Sequence, residues 1–98
     1  MEEFTLVNNY RIPNISTIEN LEMYLGVGYG HVIQFGQYAI ATDVSYRGNY
    51  FAAIYEMVET PEETGLSAIE CRIQLIKAAK ETFEDAGHAI QWGLKNCK

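Results

Sequence analysis

The sequence predicts an α+β fold, in which an antiparallel β-meander of three core strands packs on one long C-terminal helix, with a short N-terminal helix before the meander. Three observations predict this fold. Residues 31–58 form three runs rich in β-branched and aromatic residues, separated by two glycine-containing turns. Residues 67–86 place apolar side chains at helical spacing. Finally, 98 residues with 48% hydrophobic content suffice for one core, so we expect a single domain over residues 1–98.

The first turn of the meander predicts the register of its first hairpin. Residues 36–37 have the Gly-X form of a two-residue hairpin turn, which places Phe35 opposite Tyr38. Ile33 then lies opposite Ile40. Both pairs consist of large apolar side chains, as expected for one buried face of a sheet.

The second turn, within residues 47–49, predicts the composition of the two sheet faces. Either centre of this turn places even-numbered residues of the middle strand opposite odd-numbered residues of the third. The bulky face then collects Ile33, Phe35, Tyr38, Ile40, Val44, Tyr46, Phe51, Ala53, Tyr55 and Met57. The shallower face collects Val32, Gln34, Ala39, Ala41, Asp43, Ser45, Tyr50, Ala52, Ile54, Glu56 and Val58. The shallower face could be covered by a helix, or could bind a second copy of the chain through Ala39, Ala41, Ala52 and Ile54.

Two short elements precede the meander. Residues 1–7 alternate in the manner of a strand, a candidate for one edge of the sheet. Ser16 and Glu19 have the spacing of a capping box, which predicts a helix of two to three turns ending near Gly26. Its apolar side consists of Ile15, Ile18, Leu21 and Leu25.

After the meander, the pattern predicts a brief turn and then the main helix. Thr60 and Pro61 form a helix start, followed by acidic residues in the first turn. We expect this turn to cover residues 61–65 and the main helix to run from Ser67 to Ala86. Its apolar side consists of Ile69, Ile73, Ile76, Ala79, Phe83 and Ala86, which we expect on the bulky face of the sheet. Alternation over residues 90–95 favours a final strand, so the termini could supply a fourth and a fifth strand.

Charge and cysteine content exclude several classes of protein. The net charge is −6, and no basic residue lies between Arg11 and Arg47, which argues against direct nucleic-acid binding. A signal-like leader and long apolar runs are missing from the sequence, so we expect a cytoplasmic protein and no membrane partner. Cys71 and Cys97 are expected as reduced thiols, although pairing is open if the C-terminal segment folds back along the last helix.

The sequence contains no motif that supports catalysis. His31 and His88 have no Cys, His, Asp or Glu partner at metal-ligand spacing. Asp43 and Glu56 share the shallower predicted face, but neither predicted register places them opposite each other. We therefore predict a protein that is not an enzyme and has no catalytic residue, metal ligand or cofactor.

Acidic and tyrosine side chains are the candidates for protein binding. Four glutamates occur within eight positions, at Glu56, Glu59, Glu62 and Glu63. The chain also has seven tyrosines, a residue type enriched at binding hot spots because it offers a large contact area at a small entropic cost. Among these, Tyr50 and Tyr29 are the candidate anchors. The competing interpretation is a solvated strand-to-helix corner whose acids favour the helix dipole.

An alternative candidate is a ligand loop around alternating glycines. Gly26, Gly28 and Gly30 could let a small molecule or nucleotide approach bare backbone, with Tyr24 beside them. However, phosphate-binding glycine loops follow a strand and open a helix, whereas this segment follows a helix and opens a strand. The favoured explanation of these glycines is a flexible connection or a strand edge containing glycine.

These features favour a small acidic protein-binding module without enzymatic activity. In length, acidity and lack of an active-site motif the chain is similar to small phage-encoded inhibitors, such as anti-CRISPR proteins and DNA mimics. This similarity of profile implies a protein that blocks the surface of a partner protein, and a homo-oligomer is compatible with it. The alternative is a domain that binds or sequesters a small molecule or nucleotide.

Overall fold

The computed structural model describes residues 4–7, 10–13, 15–25, 30–44, 48–67 and 70–97. The elements in chain order are β1 (Phe4–Val7), β2 (Tyr10–Pro13), α1 (Ile18–Leu25), β3 (His31–Phe35), β4 (Tyr38–Val44), β5 (Tyr50–Met57), α2 (Pro61–Thr64), β6 (Ile73–Ala78) and α3 (Ala86–Asn96). An antiparallel four-stranded sheet has the order β3-β4-β5-β6. The predicted α+β fold is confirmed: the three predicted meander strands are present, with a short N-terminal helix and a C-terminal helix.

The first two strands form a separate hairpin. β1 pairs with β2 in antiparallel register, from Phe4 opposite Pro13 to Val7 opposite Tyr10. The expectation that the first strand lies at an edge of the main sheet is therefore wrong. Pro13 is the last residue of β2, and proline is tolerated on an edge strand such as this one.

The first predicted hairpin register is confirmed. Phe35 lies opposite Tyr38, and Ile33 lies opposite Ile40. Gly36 has φ of 62°, a left-handed conformation that glycine adopts without a steric penalty. The two-residue turn thus determines which side chains of β3 and β4 share a face.

The second hairpin differs from the prediction, and this changes both faces of the sheet. Val44 pairs with Tyr50, so five residues connect β4 to β5. Ile40 therefore lies opposite Ile54, and even-numbered residues face even-numbered residues. The predicted bulky and shallower faces are wrong, because a change of one residue in register moves every side chain of β5 to the other side.

One face of the sheet packs against α1 and contains the larger core. Thr17 caps α1: its Oγ1 accepts a hydrogen bond from Asn20 N at 3.1 Å, one residue later than the predicted cap. The predicted helix itself is confirmed. The buried residues of this core are Ile12, Ile18, Leu21, Leu25, Ala39, Ala41, Phe51, Ala53, Tyr55 and Ile73.

The other face of the sheet packs against α3. Ala52, Ala79 and Ala89 form a buried cluster, and half-buried Tyr50, Phe83 and Trp92 pack around it. Small side chains let the helix approach closely: a Cβ atom on Gly93 would lie only 2.4 Å from Ile40 Cγ2.

Both faces of the central strands are therefore covered. Ala39 and Ala41 pack in the α1-side core, and Ala52 packs in the α3-side cluster. Ile54 is buried as well. The predicted self-association through these four residues is excluded in this fold, because none of them reaches the surface.

The main helix predicted over residues 67–86 is wrong: β6 lies inside that segment, at Ile73–Ala78. Ile73 and Leu75 point towards the core, while Gln74 and Ile76 are exposed, which is the alternation of a strand. The apolar spacing also fitted a helix, but β-branched residues favour strands and β5 offers unpaired backbone groups at its outer edge. Pairing with β5 satisfies those groups.

The final strand expected within residues 88–96 is also wrong, since these residues belong to α3. Asp85 caps α3 by accepting a hydrogen bond from His88 N at 2.8 Å. His88 thus lies in the first turn of this helix. Ala89, Gly93 and Cys97 are buried at a spacing of four, a narrow stripe of small residues on the sheet-facing side.

Three residues expected in the core are partly exposed because they lie on edge strands. Ile33 and Phe35 on β3 are 37% and 49% exposed, and Ile76 on β6 is 44% exposed. α3 lies mainly over β4 and β5, so its cover does not extend fully over either edge.

Candidate functional site

Four of the predicted protein-binding residues come together at one end of the sheet. Met57 N donates to Gln37 O at 2.8 Å, which places the β3–β4 turn beside the end of β5. Glu56 accepts a hydrogen bond from Gln37 Nε2 at 2.8 Å. We call residues 56–67 together with 70–72 the acidic corner.

The centre of the acidic corner is α2, which begins as the sequence predicts. Thr60 Oγ1 accepts from Glu63 N, Pro61 occupies the first position, and Gly65 ends the helix with φ of 74°. Glu62 and Glu63 both lie in the first turn and are exposed. Carboxylates at a helix N-terminus are compatible with the dipole, so the fold keeps this charge at the surface at little cost.

Two further carboxylates are fixed in position around α2. Glu59 Oε1 pairs with Arg72 Nε at 2.9 Å. Glu70 Oε2 accepts hydrogen bonds from Ser67 Oγ at 2.7 Å and from Ser67 N at 3.1 Å. These bonds, chiefly the one from the Ser67 hydroxyl, lower the pKa of Glu70 and favour its ionised form.

The acidic corner combines negative charge with exposed apolar surface. Its described residues contain five carboxylates against one base, Arg72. Glu62 and Glu63 have no basic partner within ion-pair distance among the residues described. Val58 and Leu66 are 43% and 44% exposed in the same segment. The corner can therefore offer both carboxylates and apolar contacts to a partner.

Tyr50 does not belong to this corner. It lies at the opposite end of β5, six residues from Glu56, which corresponds to roughly 20 Å along a strand. Its backbone bonds reciprocally to Phe83, with both N–H to O distances at 2.9 Å, and its side chain is half-buried beside the α3-side cluster. Tyr50 therefore connects the segment that precedes α3 to the sheet.

The alternative ligand loop is only partly described. Gly26, Gly28 and Tyr29 lie outside the described residues. A Cβ atom on Gly30 would lie 2.5 Å from Leu25 Cβ and 2.7 Å from Leu25 O, so Gly30 is needed where the chain returns past the end of α1. A packing requirement thus explains Gly30 without a ligand.

Tyr24, the aromatic residue proposed beside that loop, is exposed on α1. It lies near the buried Tyr55, whose pKa is raised chiefly by burial and secondarily by Tyr24. Tyr55 therefore stays protonated at neutral pH, and its ring contributes to the α1-side core.

Asp43 and Glu56 are on opposite faces of the sheet. Residues of β4 and β5 that share a face are either all odd-numbered or all even-numbered, and Asp43 is odd whereas Glu56 is even. Paired-carboxylate chemistry between them is excluded in this fold. Burial raises the pKa of Asp43, partly offset by a hydrogen bond from Val44 N at 2.8 Å and by the charge of His31. Within the described ranges no three His, Cys, Asp or Glu side chains cluster to hold a metal ion.

The two cysteines are both free and buried. Cys71 Sγ lies 3.7 Å from Thr64 Oγ1, and Cys97 Sγ donates to Leu94 O at 3.5 Å. Each thiol therefore packs in its own surroundings.

The sequence reasoning missed several members of the acidic corner. Ser67 was expected to begin the main helix, whereas its hydroxyl bonds to Glu70 ahead of β6. Glu70 and Arg72 fell inside that predicted helix and were not candidates for the site. The signal that could have placed both near α2 is the alternation of residues 73–76, which marks a strand returning along β5.

A search for membrane-spanning helices among the described residues found none that is sufficiently long and apolar. In the comparisons with known proteins, no curated protein and no solved structure matched this chain. The profile of one protein family does match, over residues 12–97, and its description is nucleotide modification associated domain 4. The matched range runs from β2 to the end of α3 and so includes the whole four-stranded sheet, both of its covering helices and the acidic corner. The chain therefore belongs to the nucleotide modification associated domain 4 family.

Proposed function

We propose that this protein is a non-enzymatic binding module of a nucleotide-modification system, and that its acidic corner docks on a basic surface of a partner protein. The observation that carries the proposal is that the exposed carboxylates of Glu62 and Glu63, which have no basic partner among the described residues, lie in the same segment as exposed Val58 and Leu66. The family description supports the link to nucleotide modification.

The chemistry of nucleotide-handling proteins supports a basic partner. Proteins that hold nucleotides or nucleic acids use Lys and Arg to contact phosphate groups. Carboxylates at the acidic corner complement such a surface and can occupy it in place of phosphate. A phage-type inhibitor would act in this way, by covering the phosphate-binding surface of its target.

The acidic corner is partly preorganised for docking. Gln37 holds Glu56, Arg72 holds Glu59, and Ser67 holds Glu70 by the contacts described above. Side chains that are already ordered lose less conformational entropy on binding. Glu62 and Glu63 stand on a capped helical turn, so their backbone positions are fixed as well.

The separation of the reactive groups supports a role without catalysis. Asp43 lies at the far end of β4 from the turn that holds Glu56. His88 is bonded to Asp85 at the start of α3, with 2.8 Å between Nδ1 and Oδ1. A general base needs a partner within hydrogen-bond reach of a reacting group, and these residues do not converge on one point.

Charge reversal at α2 tests the proposal. The double variant Glu62→Lys, Glu63→Lys should lose capture of its protein partner from host extract, with an affinity lower by at least about tenfold, because two exposed carboxylates become repulsive. Capture by the unaltered protein should weaken as salt is added. Affinity capture with mass spectrometry, followed by binding measurements on the captured protein, gives both results.

The matched control is Glu19→Lys, Glu22→Lys on α1. These residues are also exposed, Glu19 also lies in a first helical turn, and the change in net charge is the same. The proposal fails if both double variants bind equally well, or if no protein partner is captured. Strong thermal stabilisation by a nucleotide, without any protein partner, would instead support the small-molecule alternative.

A further inference from the structure

We propose that the outer edge of β3 is a self-association surface, at which β3 pairs with β3 of a second copy of this chain. β3 is not part of the acidic corner, although the turn that follows β3 touches that corner through the hydrogen bond from Gln37 to Glu56. The β3 surface also differs from the alanine-rich surface predicted from sequence, which is buried.

β3 is an edge strand whose sequence lacks the residues that usually prevent an edge from pairing with another strand. Among the described residues β4 is its one pairing partner, and four of its five residues are exposed. Its sequence, His-Val-Ile-Gln-Phe, contains no Lys, Arg, Asp, Glu or Pro. Soluble proteins normally protect an exposed edge with charges, proline, a bulge or a covering segment, because unpaired backbone groups attract other strands.

The opposite edge of the same sheet has such protection. Ile73 N on β6 donates to Ser16 O at 2.7 Å, so the segment before α1 covers the start of this edge. The pairing of β5 with β6 shifts register next to Ile54, and β6 carries the charged Lys77. The protein thus blocks pairing at β6 and leaves β3 available.

The tight turn after β3 fixes which groups face outwards. In a two-residue hairpin the residues next to the turn, here Phe35 and Tyr38, form a hydrogen-bonded pair. The backbone groups of Val32 and Gln34 therefore point away from β4. Antiparallel pairing of two β3 strands about Ile33 would join Val32 to Gln34 of the partner and place the two Ile33 side chains face to face.

The charge distribution favours a second copy as the occupant. Each chain carries a net charge of −6, so two copies repel each other least when they meet at a neutral surface. β3 is neutral, and pairing about Ile33 would bring the exposed Phe35 of one copy beside His31 of the other. Such a pairing is self-complementary, as a two-fold interface requires.

The salt dependence separates this association from docking of a basic partner. Screening weakens attraction between opposite charges but also weakens repulsion between like charges. The dimer should therefore become tighter at high salt, while the proposed binding to a basic partner becomes weaker. Failure of either proposal can be recognised without the other.

Sedimentation velocity over a range of protein concentrations tests the inference. The unaltered protein should show a concentration-dependent dimer that increases with salt. Ile33→Lys should raise the dissociation constant at least about tenfold, because like charges would lie opposite each other. Ile76→Lys, the same change at an exposed isoleucine on β6, should leave the dimer intact.

A mixture of Ile33→Lys and Ile33→Glu variants should restore the dimer as a heterodimer, a result that misfolding of either variant would not give. The inference is overturned if the unaltered protein stays monomeric at its highest soluble concentration. It is also overturned if Ile76→Lys abolishes the dimer and Ile33→Lys does not.

Discussion

The pKa values of two carboxyl groups in this protein, Asp43 and Asp85, are shifted in opposite directions by their surroundings. Burial raises the pKa of Asp43, whereas hydrogen bonds from the backbone and the side chain of His88 lower the pKa of Asp85. Ionisation of Asp43 therefore lowers the stability of the folded protein, whereas ionisation of Asp85 raises it. The two residues therefore predict opposite pH effects.

Asp43→Asn should raise the stability of the protein at neutral pH. The pKa of Asp43 in the folded chain lies above its unfolded value of 3.8, so the stability of the unaltered protein falls as pH rises from that value through the folded pKa. Asparagine does not ionise and can still accept the hydrogen bond from Val44 N. The gain should disappear at acidic pH, as measured by thermal unfolding over a pH series.

Asp85→Asn is the natural comparison, because asparagine also caps helices well. The lowered pKa of Asp85 means that its contribution is present above 3.8 and is lost as pH falls through the folded value. This variant should be less stable than the unaltered protein at neutral pH and equal to it in acid. A gain in stability from both substitutions would contradict the assignment of environments.

Among the secondary-structure elements, the sequence predicts those features that depend on residues close together in the chain. The β3–β4 register follows from one two-residue turn, the bounds of α2 follow from its caps Thr60 and Gly65, and the start of α1 follows to within one residue from a predicted cap. β6 and α3 depend on contacts distant in the chain. Apolar spacing over residues 73–83 suits a helix, the alternation of residues 73–76 suits a strand, and pairing with the free edge of β5 decides for the strand. Gly93 resembles a helix breaker in sequence, but in the fold it is the contact point between α3 and Ile40.

Gly93→Ala should destabilise the protein by about 1–3 kcal/mol, although alanine is the better helix former, because the added methyl group meets the Ile40 side chain in a packed layer. Chemical denaturation with urea measures the change. Gly87→Ala, at an exposed position of the same helix, should have a much smaller effect.

A double-mutant cycle identifies the contact responsible. Ile40→Ala removes the atoms that the new methyl group would meet, so combining it with Gly93→Ala should cost less than the sum of the two single changes. Strict additivity would show that α3 does not approach β4 as closely as described.

At the scale of the whole molecule, the candidate site was predictable to the extent that its parts are neighbours in sequence. Glu56, Glu59, Glu62 and Glu63 follow one another through a strand end and a short helix, so their proximity needed no tertiary information. Tyr50 was grouped with them because it shares the predicted shallower face with Glu56, and its distance from Glu56 along the strand was not considered. The contacts of Glu59 with Arg72 and of Glu56 with Gln37 depend on strand pairing and could not be predicted from composition.

The overall charge predicts how the fold responds to salt. With a net charge of −6, repulsion among carboxylates opposes the compact state, and added sodium chloride should raise the melting temperature by a few degrees through screening. Circular dichroism at a dilute protein concentration measures this shift.

The Glu62→Lys, Glu63→Lys variant changes the charge by +4, to −2, and should show a smaller salt response. A salt response as large as that of the unaltered protein would indicate that sodium chloride acts on apolar burial and not on charge repulsion.

The order of strands in the sheet has a kinetic consequence. Each strand of the sheet pairs with the next one along the chain, and the first two connections are two and five residues long. Closing such loops costs little entropy, so the meander can assemble stepwise from its first hairpin without a search for remote partners. We therefore expect rapid refolding for a protein rich in β-structure, with the docking of α3 as the late step.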